Sequence, residues 1–330
     1  YEGDTVSCPS TELREIGIGH REEGQEEFCE GLCHLDAFAH GMAPLQSIIL
    51  RNYRRFRGEI EFSLSSGINL IQTPPGMGKS SIAEAVAWCL VGRRCGPTAA
   101  EVVNVDAGGA GDEDVLVSLS FQTDEEIILE RSLTMAGTGM DERTAVHANG
   151  KTDGEFTQQR EALFPAACIH SNIISGASIG RVLQSERMGT ERAVADMPGW
   201  DDSDAPLRAS MEATSLYVSM VPNPSASCLL FNEHGQPLVQ CSRAEPMGST
   251  EHRLMILSAA LAFARESCPG IPIILDEPFL GLDDATMERA VKVVTEFMDG
   301  HQVIFLLSRP SEIEAVRAID HLEKEIEVRG

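Results

Sequence analysis

Residues 68–81 read INLIQTPPGMGKSS, and this stretch limits what the chain can fold into more than any other. A short apolar strand, Ile68–Ile71, runs into a Gly/Pro loop ending in Gly78-Lys79-Ser80, and an Ala-rich helix, Ser81–Val91, follows at once. Strand, glycine loop and helix in this order form a phosphate cradle. Backbone N–H groups of the loop and the helix N-terminus face an anion, a lysine supplies compact positive charge, and the hydroxyl after it can ligate a hard divalent cation. Thr73, Pro74, Pro75, Gly76, Met77, Gly78, Lys79, Ser80 and Ser81 are the candidate lining. The pattern G-x-x-x-x-G-K-[ST] is met except at its first glycine, where Thr73 stands, and Gly76 is expected to supply the missing flexibility.

A second stretch supplies carboxylates. Ile273-Ile274-Leu275-Asp276-Glu277 is an apolar run ending in two acids, the pattern of a buried strand whose carboxyl end carries chemistry. Asp276 is placed to hold a cation through water, and Glu277 to act as general base on a water molecule. Between these two motifs and around them, apolar strands alternate with helical patterns. Leu45–Asn52, Glu59–Ser63, Val115–Phe121, Ile127–Leu133, Thr144–Ala148, Ala167–Ile174 and Gln302–Leu307 read as strands, and Cys228–Asn232 with Leu238–Cys241 as a hairpin. Glu155–Leu163, Met211–Val218, Glu251–Glu266, Asp284–Met298 and Ser311–Ile319 read as helices. Asp201–Pro206 reads as an acidic turn. The fold class expected is α/β, with a largely parallel core sheet.

Charge narrows the partners. The 330 residues carry a formal net charge of −25, so the surface as a whole repels nucleic acid and anionic lipid. Any nucleic-acid contact needs a local basic patch, and Arg51-Asn52-Tyr53-Arg54-Arg55-Phe56-Arg57 is the densest one. No run approaches the ~18 apolar residues of a membrane span, and no leader is visible, so a cytoplasmic protein is expected, nucleoid-associated if it meets DNA. The nine cysteines form no dense framework and point to a reduced setting, with Cys89 a buried small hydrophobe. Cys8, Cys29, Cys33, His34 and His40 match no metal-site spacing, and the acidic residues 1–44 read instead as an appended helical segment.

ILDEPFLGLD resembles the Walker B motif and D-loop of ABC-type ATPases. LRNYRRFRG followed by two strands and the phosphate loop resembles the N-lobe of the SMC-like branch, which includes the SbcC, RecF and DndD groups of DNA repair and defence ATPases. The stretch IISGASIGRVLQSERMGTERAVADMPG, with Glu191-Arg192, is similar to that branch's Q-loop and the helix after it. The resemblance implies a P-loop NTPase head of two lobes, a largely parallel core sheet plus an antiparallel β subdomain. Residues 45–199 would be the N-lobe, 200–214 the junction where a coiled coil emerges, and 215–330 the C-lobe. It implies ATP and Mg²⁺, with phosphates on Lys79 and Ser80, the metal on Ser80 and Asp276, and the attacking water on Glu277. Arg54 or Arg55 would approach the γ-phosphate, and Asp283 would lie at an interface between two heads that sandwich ATP. The signature falls on Met247-Gly248-Ser249-Thr250-Glu251, where Gly248 and Thr250 replace the serine and glycine of L-S-x-G-E/Q unless Ser249 serves after a one-residue shift. The Q-loop position is Ser175 and the switch-histidine position Ser308.

The expected activity is ATP hydrolysis coupled to dimerisation and DNA work in repair or defence. The alternatives are a nucleotide-gated scaffold controlling a partner nuclease, and a transporter's nucleotide-binding subunit, which the missing LSGGQ-like motif opposes. WDDSDAPLRASME at the junction shows no heptads. A coil is then naturally lacking, was deleted, or is missing from this sequence, and the start at Tyr1 points to the last two.

Overall fold

A computed structural model describes residues 43–92, 99–103, 114–136, 139–148, 151–152, 155–176, 179, 204–224, 226–231, 237–241 and 248–328. The readings on residues 1–42, on Glu191-Arg192 and on Met247 lie outside them.

Two sheets carry the architecture. The first is antiparallel, in the order β2-β1-β4-β5-β6-β7. Its strands are β1 (Leu45–Arg51), β2 (Glu59–Ser63), β4 (Val115–Gln122), β5 (Glu126–Ala136), β6 (Gly139–Ala148) and β7 (Lys151–Thr152). The second is parallel, in the order β13-β3-β12-β11-β8. It is built from β3 (Ile68–Gln72), β8 (Ile173–Ser175), β11 (Ile273–Asp276), β12 (Val303–Leu307) and β13 (Leu322–Glu327). A separate antiparallel hairpin joins β9 (Ala226–Phe231) to β10 (Pro237–Cys241).

The central strands β3, β11 and β12 are buried along nearly their whole length because both faces of the parallel sheet are covered. Alternation along each strand divides their side chains. Ile71, Ile274, Ile304 and Leu306 pack on one side, against α1 (Lys79–Val91), whose other face meets the antiparallel sheet. That position between two sheets explains why α1 is apolar all round: Ile82, Val86, Trp88, Cys89 and Leu90 are all buried. Ile68, Leu70, Leu275, Val303, Phe305 and Leu307 point the other way. They pack in a core shared with α5 (Ala205–Met220), α6 (Ser249–Ser267), α7 (Asp284–Phe297) and α8 (Pro310–Arg317). Among the described residues the remaining short helices are α2 (Ala99–Val102), α3 (Phe156–Leu163) and α4 (Ile169–Asn172).

Gln302 fastens the sheets to one another. Buried just before β12, it accepts from the Leu45 N–H at 2.8 Å and donates to the Leu45 and Ser65 carbonyls at 2.7 and 2.6 Å.

Three readings are corrected. Ala167–Ile174 is not one strand. A 3₁₀ turn at Ala166–Cys168 and the single turn α4 precede β8. Side chains hold this coil in place: Ser171 donates to the Cys168 carbonyl at 3.0 Å, and Asn172 to the Ile271 carbonyl at 3.2 Å. Asp201–Pro206 is not a turn to its end: Ala205 and Pro206 already lie in the first turn of α5, where a missing N–H costs nothing. Finally, Cys168 and Cys268 are joined in a disulfide across 100 residues of sequence, with Cα atoms 6.1 Å apart, where free thiols were expected. Cys89 is free and buried, as its place on α1 implied, and burial pushes its thiol pKa up to about 12.

Candidate nucleotide site at the carboxyl ends of the parallel strands

β3 delivers the phosphate loop between its two neighbours β12 and β13. The Thr73 N–H donates to the Leu307 carbonyl at 3.0 Å, which ties the first loop residue to the end of β12. Thr73 is buried, while Pro74, Pro75 and Gly76 are exposed at the loop's crest. The chain then turns through two left-handed residues, Gly76 at φ 82° and Gly78 at φ 94°, conformations open to glycine without a Cβ penalty. Gly76 thus takes the flexible role that Thr73 cannot. Gly78 caps α1, and no acidic side chain occupies the first turn, which favours an anion at the helix start, where the Ser81 N–H already donates to the Gly78 carbonyl at 2.9 Å. Met77 and Gly78 are half-buried, Lys79 and Ser81 are buried, and Ser80 is exposed.

β11 brings the two carboxylates to this loop. In register, Asp276 lies opposite Leu306 of β12 and opposite Ser175 of β8. Asp276 lies beside the Ser80 hydroxyl, and its Oδ1 is buried with no partner. Burial pushes its pKa above the ordinary carboxylate value, opposed by the Ser80 hydroxyl and the Lys79 charge. A buried orphan oxygen beside an exposed serine hydroxyl suits Mg²⁺, which keeps several waters and takes only one or two protein oxygens plus substrate phosphates. Among the described residues no group of three His, Cys, Asp or Glu side chains forms an all-protein metal cage.

Glu277 follows in a left-handed backbone conformation, φ 48°, that a glutamate rarely adopts. Its N–H donates to the Leu306 carbonyl at 3.1 Å. Its Oε1 lies 2.9 Å from the Lys79 ammonium and also accepts from the Ser308 hydroxyl. Burial raises the Glu277 pKa, but the bonds from Ser308 and Lys79 outweigh it and hold the carboxyl below its usual range. An ionised carboxylate in this place can accept a proton. Gly176, just past β8, is a contact that sequence reasoning missed: a Cβ there would overlap the Glu277 carbonyl oxygen.

The basic stretch before β2 divides by face. Tyr53 and Phe56 are buried in the core, and the Phe56 ring comes within 3.3 Å of the place a Gly78 Cβ would occupy. Arg51 bonds Glu59 at 2.9 Å. Arg54 is paired with Glu84 on α1, one turn past Ser80. Arg55 and Arg57 are exposed and enter no ion pair among the described residues. Arg55 is packed at the loop by its Cβ, 3.6 Å from the same Gly78 position.

A family model described as an AAA domain matches residues 47–168, the span holding the phosphate loop and the arginine cluster. No curated protein matches the chain. Among solved structures it is similar to the SMC head domain from Thermotoga maritima, at 18% identity and a TM-score of 0.55, covering 85% of this chain and 94% of that one. An SmcHead bound to the C-winged helix domain of ScpA gives 17% identity and a TM-score of 0.61, covering 82% and 92%. An Smc head domain with an extended coiled coil, bound to the C-terminal domain of ScpA derived from Pyrococcus furiosus, gives 15%, 0.58, 83% and 92%. The chain has the fold of an SMC head domain.

The remaining candidates lie at the N-termini of two helices. Gly248 caps α6, with Ser249, Thr250 and Glu251 in its first turn. The Tyr217 hydroxyl donates to Glu251. These four residues, with Met220, Val221, Pro222, Leu254 and Thr286, line a cleft of about 350 Å³ that includes no phosphate-loop residue. Asp283 caps α7, accepting from the Thr286 N–H at 3.0 Å and its hydroxyl at 2.8 Å. Those bonds hold the exposed Asp283 carboxyl below its usual pKa. Arg309, the residue after Ser308, bonds the Leu282 carbonyl at 3.4 Å and the buried Glu312 at 3.2 Å. It joins the turn after Glu277 to the turn after β12. Its place beside Ser308 was the only signal that could have singled it out. In one head, then, Lys79, Ser80, Asp276, Glu277 and Ser308 converge, with Ser175 alongside. Gly248–Glu251 forms a separate patch.

Proposed function

We propose that the chain binds Mg-ATP at the phosphate loop and hydrolyses it slowly, as a head that dimerises on ATP and acts on DNA in repair or in defence against foreign DNA. The observation that carries this reading is the convergence of Lys79 and Ser80 with Asp276 and Glu277, where Asp276 keeps a buried, unpartnered oxygen. The loop amides and Lys79 would hold the ATP phosphates, and Ser80 with Asp276 would hold Mg²⁺, which would supply positive charge to them. Glu277 orients the attacking water and accepts its proton. The water oxygen bonds to the γ-phosphorus as the bond to the ADP oxygen breaks, and ADP leaves with that electron pair. Arg55 serves the nucleotide in preference to Arg54, because Glu84 already engages Arg54.

The separate Gly248–Glu251 patch supports the dimer. It lines a cleft that includes no phosphate-loop residue, which suits a surface that meets the nucleotide of a second head. Residues 205–214 of the expected junction belong to α5 itself, which exposes Leu207, Met211 and Val218 along one stripe that a coiled coil would cover. The test is Mg-ATP turnover together with light scattering. Wild-type protein should hydrolyse ATP, and Glu277→Gln should keep ATP binding, lose turnover and accumulate an ATP-bound dimer. A monomer at every concentration would remove the sandwich from this reading. For DNA, Arg57 is the first contact candidate, with Arg55 at the border between DNA and nucleotide, since both are exposed and enter no ion pair among the described residues on a protein of net charge −25. Binding should fall steeply with salt, and reversing both to Glu should abolish it. Unchanged DNA affinity would assign the patch to the nucleotide or to structure alone.

A second reading is a nucleotide-gated scaffold with negligible hydrolysis that controls a partner nuclease. Gly248 and Thr250 at the signature favour it, because neither supplies the serine and glycine of an active signature. ATP affinity in the micromolar range without turnover would select this reading.

A further inference from the structure

We propose that Ser308 is a positioning residue for Glu277, holding its carboxylate in place when Lys79 moves from Glu277 to a phosphate. The proposal deepens the ATPase reading and rests on it. Two donors share one oxygen: Glu277 Oε1 accepts from the Ser308 hydroxyl and lies 2.9 Å from Lys79 Nζ. Lys79 belongs to the phosphate loop, so a bound triphosphate competes with Glu277 for its ammonium. Once Lys79 turns to the phosphate, Ser308 is the donor left on Oε1.

The surroundings make that donor rigid. Ser308 follows β12, all five of whose residues are buried, and which is paired on both sides by β3 and β11. Arg309 pins the next residue to the Leu282 carbonyl and to Glu312. Glu277 is held by its own N–H on the Leu306 carbonyl and by the close approach of Gly176 to its carbonyl oxygen. A serine hydroxyl on Oε1 fixes the carboxylate and leaves Oε2 to receive the proton of the attacking water. The serine at the switch position therefore supplies orientation through Glu277 rather than a contact to the γ-phosphate. Loosening a reacting group by about 1 Å costs on the order of tenfold to a hundredfold in rate.

The test combines kinetics with a structure. Ser308→Ala is expected to lower kcat by roughly tenfold or more, with KM for ATP within about twofold of wild type, and Ser308→Thr to restore most of kcat. A crystal structure with Mg²⁺ and a non-hydrolysable ATP analogue should show Lys79 on phosphate and Ser308 still bonded to Glu277. An unchanged kcat in Ser308→Ala overturns the proposal. So does a rise in KM matching the fall in kcat, which would mean direct nucleotide contact, or an analogue complex with Ser308 turned away from Glu277. If Ser308→Ala does not fold, Ser308→Cys takes its place with the same expected loss. If wild type binds ATP without any turnover, the hydrolysis reading fails, and the analogue complex alone decides the role of Ser308.

Discussion

On the proposed reading, Lys79 serves two partners. In the free head its ammonium is balanced by Glu277, so a buried charge is not left alone, and the same ammonium is what a triphosphate needs. Lys79→Ala should therefore weaken ATP binding about a hundredfold or more, from the loss of charge-assisted contacts to the phosphates. Calorimetry is the measurement, and an unchanged dissociation constant would sink the assignment of the loop. The motif GKS and the pair Asp276-Glu277 were legible because their chemistry is local in sequence. Ser308 was legible only as a departure from a pattern. Its hydrogen bond to Glu277, 31 residues away, belongs to strand pairing and has no trace in spacing.

At the scale of elements, the site depends on how strands end. β11 and β12 run parallel in register, so Glu277 and Ser308 emerge side by side at one edge, with the phosphate loop arriving from β3 on the far side of β12. The antiparallel sheet is fastened to this edge-forming sheet through Gln302. Gln302→Ala would remove the side-chain acceptor of the Leu45 N–H and a donor from the Leu45 carbonyl in a buried place, while the Ser65 carbonyl keeps its bond from Asn69. A stability loss of about 2–4 kcal/mol is expected, read as a lower midpoint in urea unfolding. A loss well under 1 kcal/mol would mean that the sheets are joined by packing alone. The misread segment before β8 follows the same logic. Ala167–Ile174 is apolar enough for a strand, yet side-chain bonds from Ser171 and Asn172 hold its first half in helical turns.

Over the whole molecule, the Cys168–Cys268 disulfide connects the segment entering β8 with the residue closing α6. It spans 100 residues, a long loop whose closure restricts the unfolded chain. Reduction, or Cys168→Ser, should lower unfolding free energy by about 2–4 kcal/mol. Urea titrations with and without reductant measure this, and identical midpoints would show that the crosslink does not restrain the unfolded state. Among the described residues no helix is long and apolar enough to cross a membrane.

The sequence by itself determined the α/β class, the phosphate loop with its helix, and the carboxylate pair at the end of a buried strand. Apolar period, glycine placement and charge are local properties, and they act before any tertiary contact forms. Tertiary structure alone decided which arginine is free. Arg54 and Arg55 are neighbours in sequence, but the turn at Arg54, φ 50°, sends one guanidinium to Glu84 and leaves the other exposed. It alone decided that two distant cysteines meet and that Gly176 abuts Glu277. It also placed Gly248–Glu251 in a cleft apart from the phosphate loop. The approach of Gly176 to Glu277 depends on strand order in the parallel sheet, where β8 pairs with β11. That order is set by how both faces of the sheet are covered, which no single stretch of sequence encodes.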